Sequence, residues 1–187
     1  MAAETVFDKD GIIPDVVDSF QSMTMLSVSY STQDVMIGNT MTVEETQQVP
    51  KVSFMADSPM DKFTLIMTDP DAPSRNDPKM REFRLWIVTN IPGVNDNPED
   101  LLTKDLNKGT VVTEYMGPAP PAGSGPHRYV FLLYKQPGPD NQLTPDALAT
   151  LATPLGPDRR GFQSRSFARK AGLELVGVNY FFAETRE

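Results

Sequence analysis

Apolar residues in this chain gather into short runs separated by proline, glycine and polar residues, a spacing that predicts a β-dominated fold. Tyr129-Val130-Phe131-Leu132-Leu133-Tyr134 and Phe63-Thr64-Leu65-Ile66-Met67 are nearly unbroken, as expected of central strands covered on both faces. Leu26, Val28 and Tyr30 alternate with serines, which predicts a strand with one face in water. The pattern gives candidate strands at Met25–Ser31, Val52–Ala56, Phe63–Thr68, Leu85–Ile91, Val111–Tyr115, Tyr129–Lys135 and Leu173–Phe182. The 17 prolines fall between the apolar runs, where they interrupt no hydrogen-bond ladder.

Helical signals are few. Thr144 followed by Pro145 reads as an N-cap with proline at the first helical position, and Phe162–Ala171 as a second helix stopped by Gly172. A third short turn is expected within the first ten residues. Pro137–Asp158 is a proline-rich excursion expected to vary most in conformation. There is no internal repeat. Residues 1–187 are expected to form one domain, with residues 1–14 as an N-terminal segment. Ala2, Ala3 and Glu4 are small or polar, so packing gives little reason to order them.

Charge narrows the function classes. Seventeen Lys and Arg against 25 Asp and Glu give a net charge of -8, which argues against a nucleic-acid or anionic-membrane binder. The dense basic stretch around Arg159, Arg160, Arg165, Arg169 and Lys170 reads first as a solvated helix face. With no cysteine, disulfides, thiol catalysis and Cys-ligated zinc are excluded. One histidine rules out a His-rich metal site, and no motif implies a cofactor. No apolar run approaches the ~18 residues of a membrane span, and the N-terminus lacks the basic and apolar regions of a signal peptide. A cytoplasmic protein is the simplest expectation.

The chemistry concentrates in two loops. One is Asp69-Pro70-Asp71-Ala72-Pro73-Ser74-Arg75; the other runs from Gly117-Pro118-Ala119-Pro120-Pro121 through Gly123-Ser124-Gly125 to His127-Arg128-Tyr129. Proline fixes φ and glycine permits tight bends, so such loops hold polar groups with little entropy left to lose on binding. His127 and Tyr129 supply donors for an anion, and amides in the glycine-rich turn could cradle one. Asp69 would orient His127 or take a cationic group. The bland readings stand beside these: either aspartate could only cap local amides, His127 could be structural, and Tyr129 could simply pack. A Ser124–His127–Asp triad can be drawn, but Ser124 sits in a Gly-Ser-Gly turn without a nucleophile elbow.

These motifs resemble the two signatures of the phosphatidylethanolamine-binding protein family, which includes Raf kinase inhibitor proteins, plant flowering regulators and fungal carboxypeptidase Y inhibitors. The first signature matches Asp69–Arg75 and Asp77–Val88. The second matches Gly117–Tyr129, with Ser124-Gly125 as a small extension. Leu26–Gly38 and Glu174–Glu184 extend the likeness, and the ending Val178–Thr185 is most similar to the fungal inhibitor subgroup. The resemblance implies a β-sandwich of two antiparallel sheets with a few short helices. It implies a ligand pocket of Asp69, Asp71, Pro73, Leu85, Gly117, Pro120, His127 and Tyr129, and cis bonds at Ala72–Pro73 and Arg81–Glu82. It further implies a binding or inhibitory module rather than an enzyme, with a serine carboxypeptidase or signalling protein as partner, or alternatively a phospholipid or small-anion binder. Leu85 departs from the pattern, since the family usually carries histidine there. Leucine cannot donate to phosphate, so affinity for a phosphate or phospholipid head group should fall tenfold or more for a lost charge-assisted bond. Arg84 cannot compensate if Leu85 faces the pocket, because neighbours in a strand point to opposite faces.

Overall fold

The near-unbroken apolar strands are central ones, buried on both faces. In the computed structural model, which describes residues 5–97, 99–138, 140, 142–150 and 156–186, eight strands form two sheets. They are β1 (Ser27–Ser29), β2 (Asn39–Thr40), β3 (Lys51–Ser53), β4 (Lys62–Asp69), β5 (Phe83–Pro92), β6 (Thr110–Thr113), β7 (His127–Lys135) and β8 (Glu174–Ala183). The large sheet has the order β2-β8-β7-β4-β5-β6, and β1 pairs with β3 alone. All seven expected strands are present, displaced at their ends by up to a few residues. The expectation of purely antiparallel sheets needs one correction: β2, unseen in the sequence because it is two residues long, runs parallel to β8.

Alternate side chains of the large sheet feed two cores. On one face Leu65, Met67, Phe131 and Leu133 pack against Val28 of β1 and Val52 of β3, a sandwich-like layer. On the other, Ile66, Val130, Leu132 and Tyr180 meet the helices. Four short helices do this covering: α1 (Val6–Lys9), α2 (Ile12–Asp15), α3 (Pro145–Thr150) and α4 (Ser164–Ala171). Thr144 caps α3 by accepting from the Ala147 amide, and Gly172 ends α4 at a φ of 67°, both as the sequence predicts. Of the proline-rich excursion, residues 139, 141 and 151–155 lie outside the described residues. Leu143 and Leu148 of the remainder are buried in the second core. No described helix is long and apolar enough to cross a membrane.

The N-terminal segment carries the short turn expected within the first ten residues, as α1. Ala2, Ala3 and Glu4 lie outside the described residues, but from Thr5 onward the chain is tied down. Thr5 and Asp8 form a reciprocal capping box, and Phe7 packs against Phe20 and Tyr180. Tyr180 donates to Asp10 Oδ2 at 2.5 Å, and Arg128 donates to the Asp10 and Gly11 carbonyls.

Candidate functional site

Antiparallel pairing of β4 with β7 brings the end of one beside the start of the other, so Asp69 meets His127 although 57 residues separate them in sequence. Asp69 Oδ2 lies 2.8 Å from His127 Nδ1, and its other oxygen accepts from the Asp71 amide at 2.7 Å. His127 is fully buried. Burial raises the Asp69 carboxyl above its ordinary range, against the opposing pull of the His127 hydrogen bond. Beside this pair opens a cavity of about 180 Å³, lined by Asp69, Ala72, Pro73, Met80, Phe83, Leu85, Met116, Gly117, Ala119, Pro120, Pro121, His127 and Tyr129. Most of that lining is apolar. Tyr129 stacks on Phe181 with ring centroids 5.3 Å apart, and its hydroxyl makes no hydrogen bond among the described residues. Peptide bonds Ala72–Pro73 and Arg81–Glu82 are cis.

Seven of the eight residues expected from sequence therefore share one cavity. Asp71 is the exception. It is fully buried away from the cavity, where its two oxygens accept from Arg128 Nε at 2.9 Å, Nη2 at 2.6 Å and the Arg128 amide at 2.9 Å. Burial disfavours its charge, but the Arg128 guanidinium outweighs that and holds the carboxyl below its ordinary range. Asp71 anchors the first loop to β7. Gly117 has a packing reason as well: a Cβ there would lie 2.6 Å from Gln47 Oε1. That Gln47 also donates to the Pro118 carbonyl, steadying the second loop.

Leu85 faces the cavity and Arg84 the opposite side, where its guanidinium lies over the Phe162 ring and donates to the Gly156 carbonyl. Simple alternation then fails one residue further on. Met67 pairs with Trp86 but Thr68 pairs with Arg84, so Leu85 is the extra residue of a β-bulge. Both Leu85 and Trp86 consequently reach the sandwich core. Arg159 clamps the bulge by donating to the carbonyls of Leu85 and Glu114 at 2.9 Å each. Arg159 is thus a backbone clamp outside α4, and only Arg165, Arg169 and Lys170 of the basic stretch lie on the helix.

In the glycine-rich turn, two of the amides that could cradle an anion are already engaged. Its Gly123 amide donates to the Thr185 carbonyl and its Ser124 amide to the Pro121 carbonyl. Ser124 Oγ lies 2.9 Å from His127 Nε2, completing a Ser–His–Asp line. Its shorter contact, 2.7 Å, is to the Pro121 carbonyl, which takes the hydroxyl proton. That bond directs the Ser124 proton to a backbone carbonyl rather than to the imidazole that would have to accept it from a serine nucleophile. Among the described residues no group of three or more His, Asp or Glu is placed to hold a metal ion.

Comparison with known proteins agrees with this architecture. Residues 18–181 match the family model described as "Phosphatidylethanolamine-binding protein". The carboxypeptidase Y inhibitor of Saccharomyces cerevisiae is 37% identical, over 96% of this chain and 94% of its own. "Protein MOTHER of FT and TFL1 homolog 2" of Oryza sativa subsp. japonica is 38% identical, over 94% and 90%. The solved structure of carboxypeptidase Y inhibitor complexed with the cognate proteinase superposes with a TM-score of 0.78 at 36% identity, covering 96% of this chain and 93% of that one. With two signature loops converging on one cavity and a match along nearly its whole length, the chain belongs to the phosphatidylethanolamine-binding protein family.

Proposed function

We propose that this protein is a binding and inhibitory module whose target is a serine carboxypeptidase of the carboxypeptidase Y type. The supporting observation is the 37% identity to a carboxypeptidase inhibitor along 96% of the chain, on a backbone similar to that inhibitor's in its proteinase complex. The inhibitory element is the stretch before Thr5, which α1 fastens to the body through the Thr5–Asp8 box and Phe7. A short tethered segment entering a protease cleft gains effective concentration from a second contact surface on the sandwich. The cavity is a subsidiary site for a small ligand with an apolar body and one hydrogen-bond acceptor for the Tyr129 hydroxyl. Leu85 makes it a poor phosphate or phospholipid head-group site. Catalysis has no part in this reading, since the Ser124 hydroxyl donates to the Pro121 carbonyl and sits in a turn without a nucleophile elbow.

The test is steady-state inhibition of carboxypeptidase Y by the full chain and by a form lacking residues 2–4, which keeps the Thr5 cap. Full-length protein should inhibit, and the truncated form should lose most potency while its circular dichroism is unchanged. Equal potency sinks the N-terminal mechanism. No inhibition by either form sinks the target, and leaves a signalling protein as the alternative partner.

A further inference from the structure

Arg75, the last residue of the first signature loop, has no place in the cavity. It is exposed, and its Nη2 donates to the main-chain carbonyl of Asp10 at 2.9 Å. That carbonyl also accepts from Arg128 Nη1 at 3.0 Å, and the following one, of Gly11, accepts from the same Nη1 at 2.9 Å. The Asp10 side chain is held separately, its Oδ2 accepting from the Tyr180 hydroxyl at 2.5 Å. Gly11 makes this approach possible: its φ is 71°, and a Cβ there would stand 3.0 Å from Arg128 Nη1 and 3.3 Å from Arg75 Nη2.

Packing by itself does not account for how this segment is held. α1 is a single turn of four residues, none of them buried, and a helix that short is unstable alone. Phe7 gives it ring contacts with Phe20 and Tyr180, but apolar contact is non-directional and leaves the turn free to slide or rotate. The donors, by contrast, are fixed from outside α1. Arg128 is fully buried, its Nε and Nη2 are taken by Asp71, and Nη2 also lies 2.9 Å from Asp15 of α2. The direction of its Nη1 is therefore set by groups outside the turn it holds. Tyr180 is buried within β8. Side chains from the first loop, β7 and β8 thus converge on Asp10 and Gly11, directly after α1, and bonds to both main chain and side chain fix orientation as well as place.

We propose that Arg75, Arg128 and Tyr180 are positioning residues for inhibition: by clamping Asp10 and Gly11 they fix the point and direction from which the residues before Thr5 project. This role rests on the stretch before Thr5 being the inhibitory element. Thr5 is joined to the clamp through one turn, its amide donating to the Asp8 carboxylate and its hydroxyl accepting from the Asp8 amide, so a shift at Asp10 is carried to Thr5. A segment that enters a cleft while the body rests on the partner elsewhere must leave the body at the right place. If its base swings, its effective concentration at the cleft falls, and the cost of ordering the base is added to that of binding.

The variants are Tyr180→Phe, which removes only the hydroxyl and keeps the ring beside Phe7, and Arg75→Ala, an exposed change. Inhibition of carboxypeptidase Y and direct binding to it are measured for each, in the full chain and in the form lacking residues 2–4. Hydrogen exchange is followed at the Lys9, Asp10 and Gly11 amides, which close the turn. In the full chain each variant should raise the inhibition constant about tenfold, the scale of one lost charge-assisted bond. Exchange should quicken at those three amides and stay unchanged in β4, β7 and β8. Arg75→Lys keeps a cationic donor and should recover most of the loss. In the truncated form the substitutions should change binding little, because the element they position is gone, whereas a general structural effect would weaken both forms alike. The proposal is overturned if the full chain inhibits and both variants match it, or if the truncated form loses as much. If the parent itself does not inhibit, the target falls and exchange decides the clamp: quickening confined to Lys9–Gly11 upholds it, and unchanged exchange overturns it.

Discussion

Glu82 should make stability depend on pH in a direction opposite to that of most carboxylates. In the unfolded chain it ionises at its ordinary 4.5, whereas burial at the start of β5 holds the proton until about pH 7. Between those values the folded state binds more protons than the unfolded state, so this residue's contribution falls as pH rises through the window. About two and a half pH units correspond to about 3 kcal/mol at 1.36 kcal/mol per unit. Glu82→Gln imitates the neutral carboxyl, since its amide oxygen can keep both Ser164 hydrogen bonds. The variant should therefore gain about 3 kcal/mol relative to the parent on going from pH 4 to pH 8. For a chain of this size that is roughly 6–12 °C in Tm. Urea unfolding of both proteins at the two pH values, in phosphate-free buffer, measures it, and every other carboxyl cancels in the difference. A stability difference that does not change with pH would refute the reasoning: it would mean that Glu82 is hydrated, or that Arg165 neutralises it.

Two further outcomes follow from the sites. Leu85→His places a second imidazole in the signature cavity, so phosphate affinity, read on the amides of the Gly117–Tyr129 turn, should rise about tenfold at pH 6 and little at pH 8; no gain would mean that Leu85 does not line the binding space. Arg128→Ala leaves Asp71 buried without its guanidinium, which should cost about 3–5 kcal/mol in chemical denaturation, whereas Asp71→Asn should leave phosphate binding in the cavity unaltered, as befits an anchor rather than a ligand group.

Much was legible in the residues alone. The apolar runs located every strand longer than two residues, because burial on one or both faces of a sheet leaves a local record of period two or of none. Thr144-Pro145 and Gly172 marked helix ends, because capping is a contact between near neighbours. The two signature loops pointed to the cavity, because their proline and glycine punctuation is local too.

Other features are settled only when distant segments meet. Asp71 looks like a pocket carboxylate beside Asp69; that it instead anchors Arg128 depends on which side of β4 faces β7. The bulge that sends both Leu85 and Trp86 to one core is invisible to a period-two reading, since an extra residue is recognised only against the strand paired with it. Arg159 reads as a helix-face cation until the carbonyls it clamps, those of Leu85 and Glu114, are brought alongside. Glu82 is one acid among many in the chain. Its burial and its raised proton affinity exist only because α4 packs over the start of β5, and desolvation is a property of what surrounds a group rather than of the group itself.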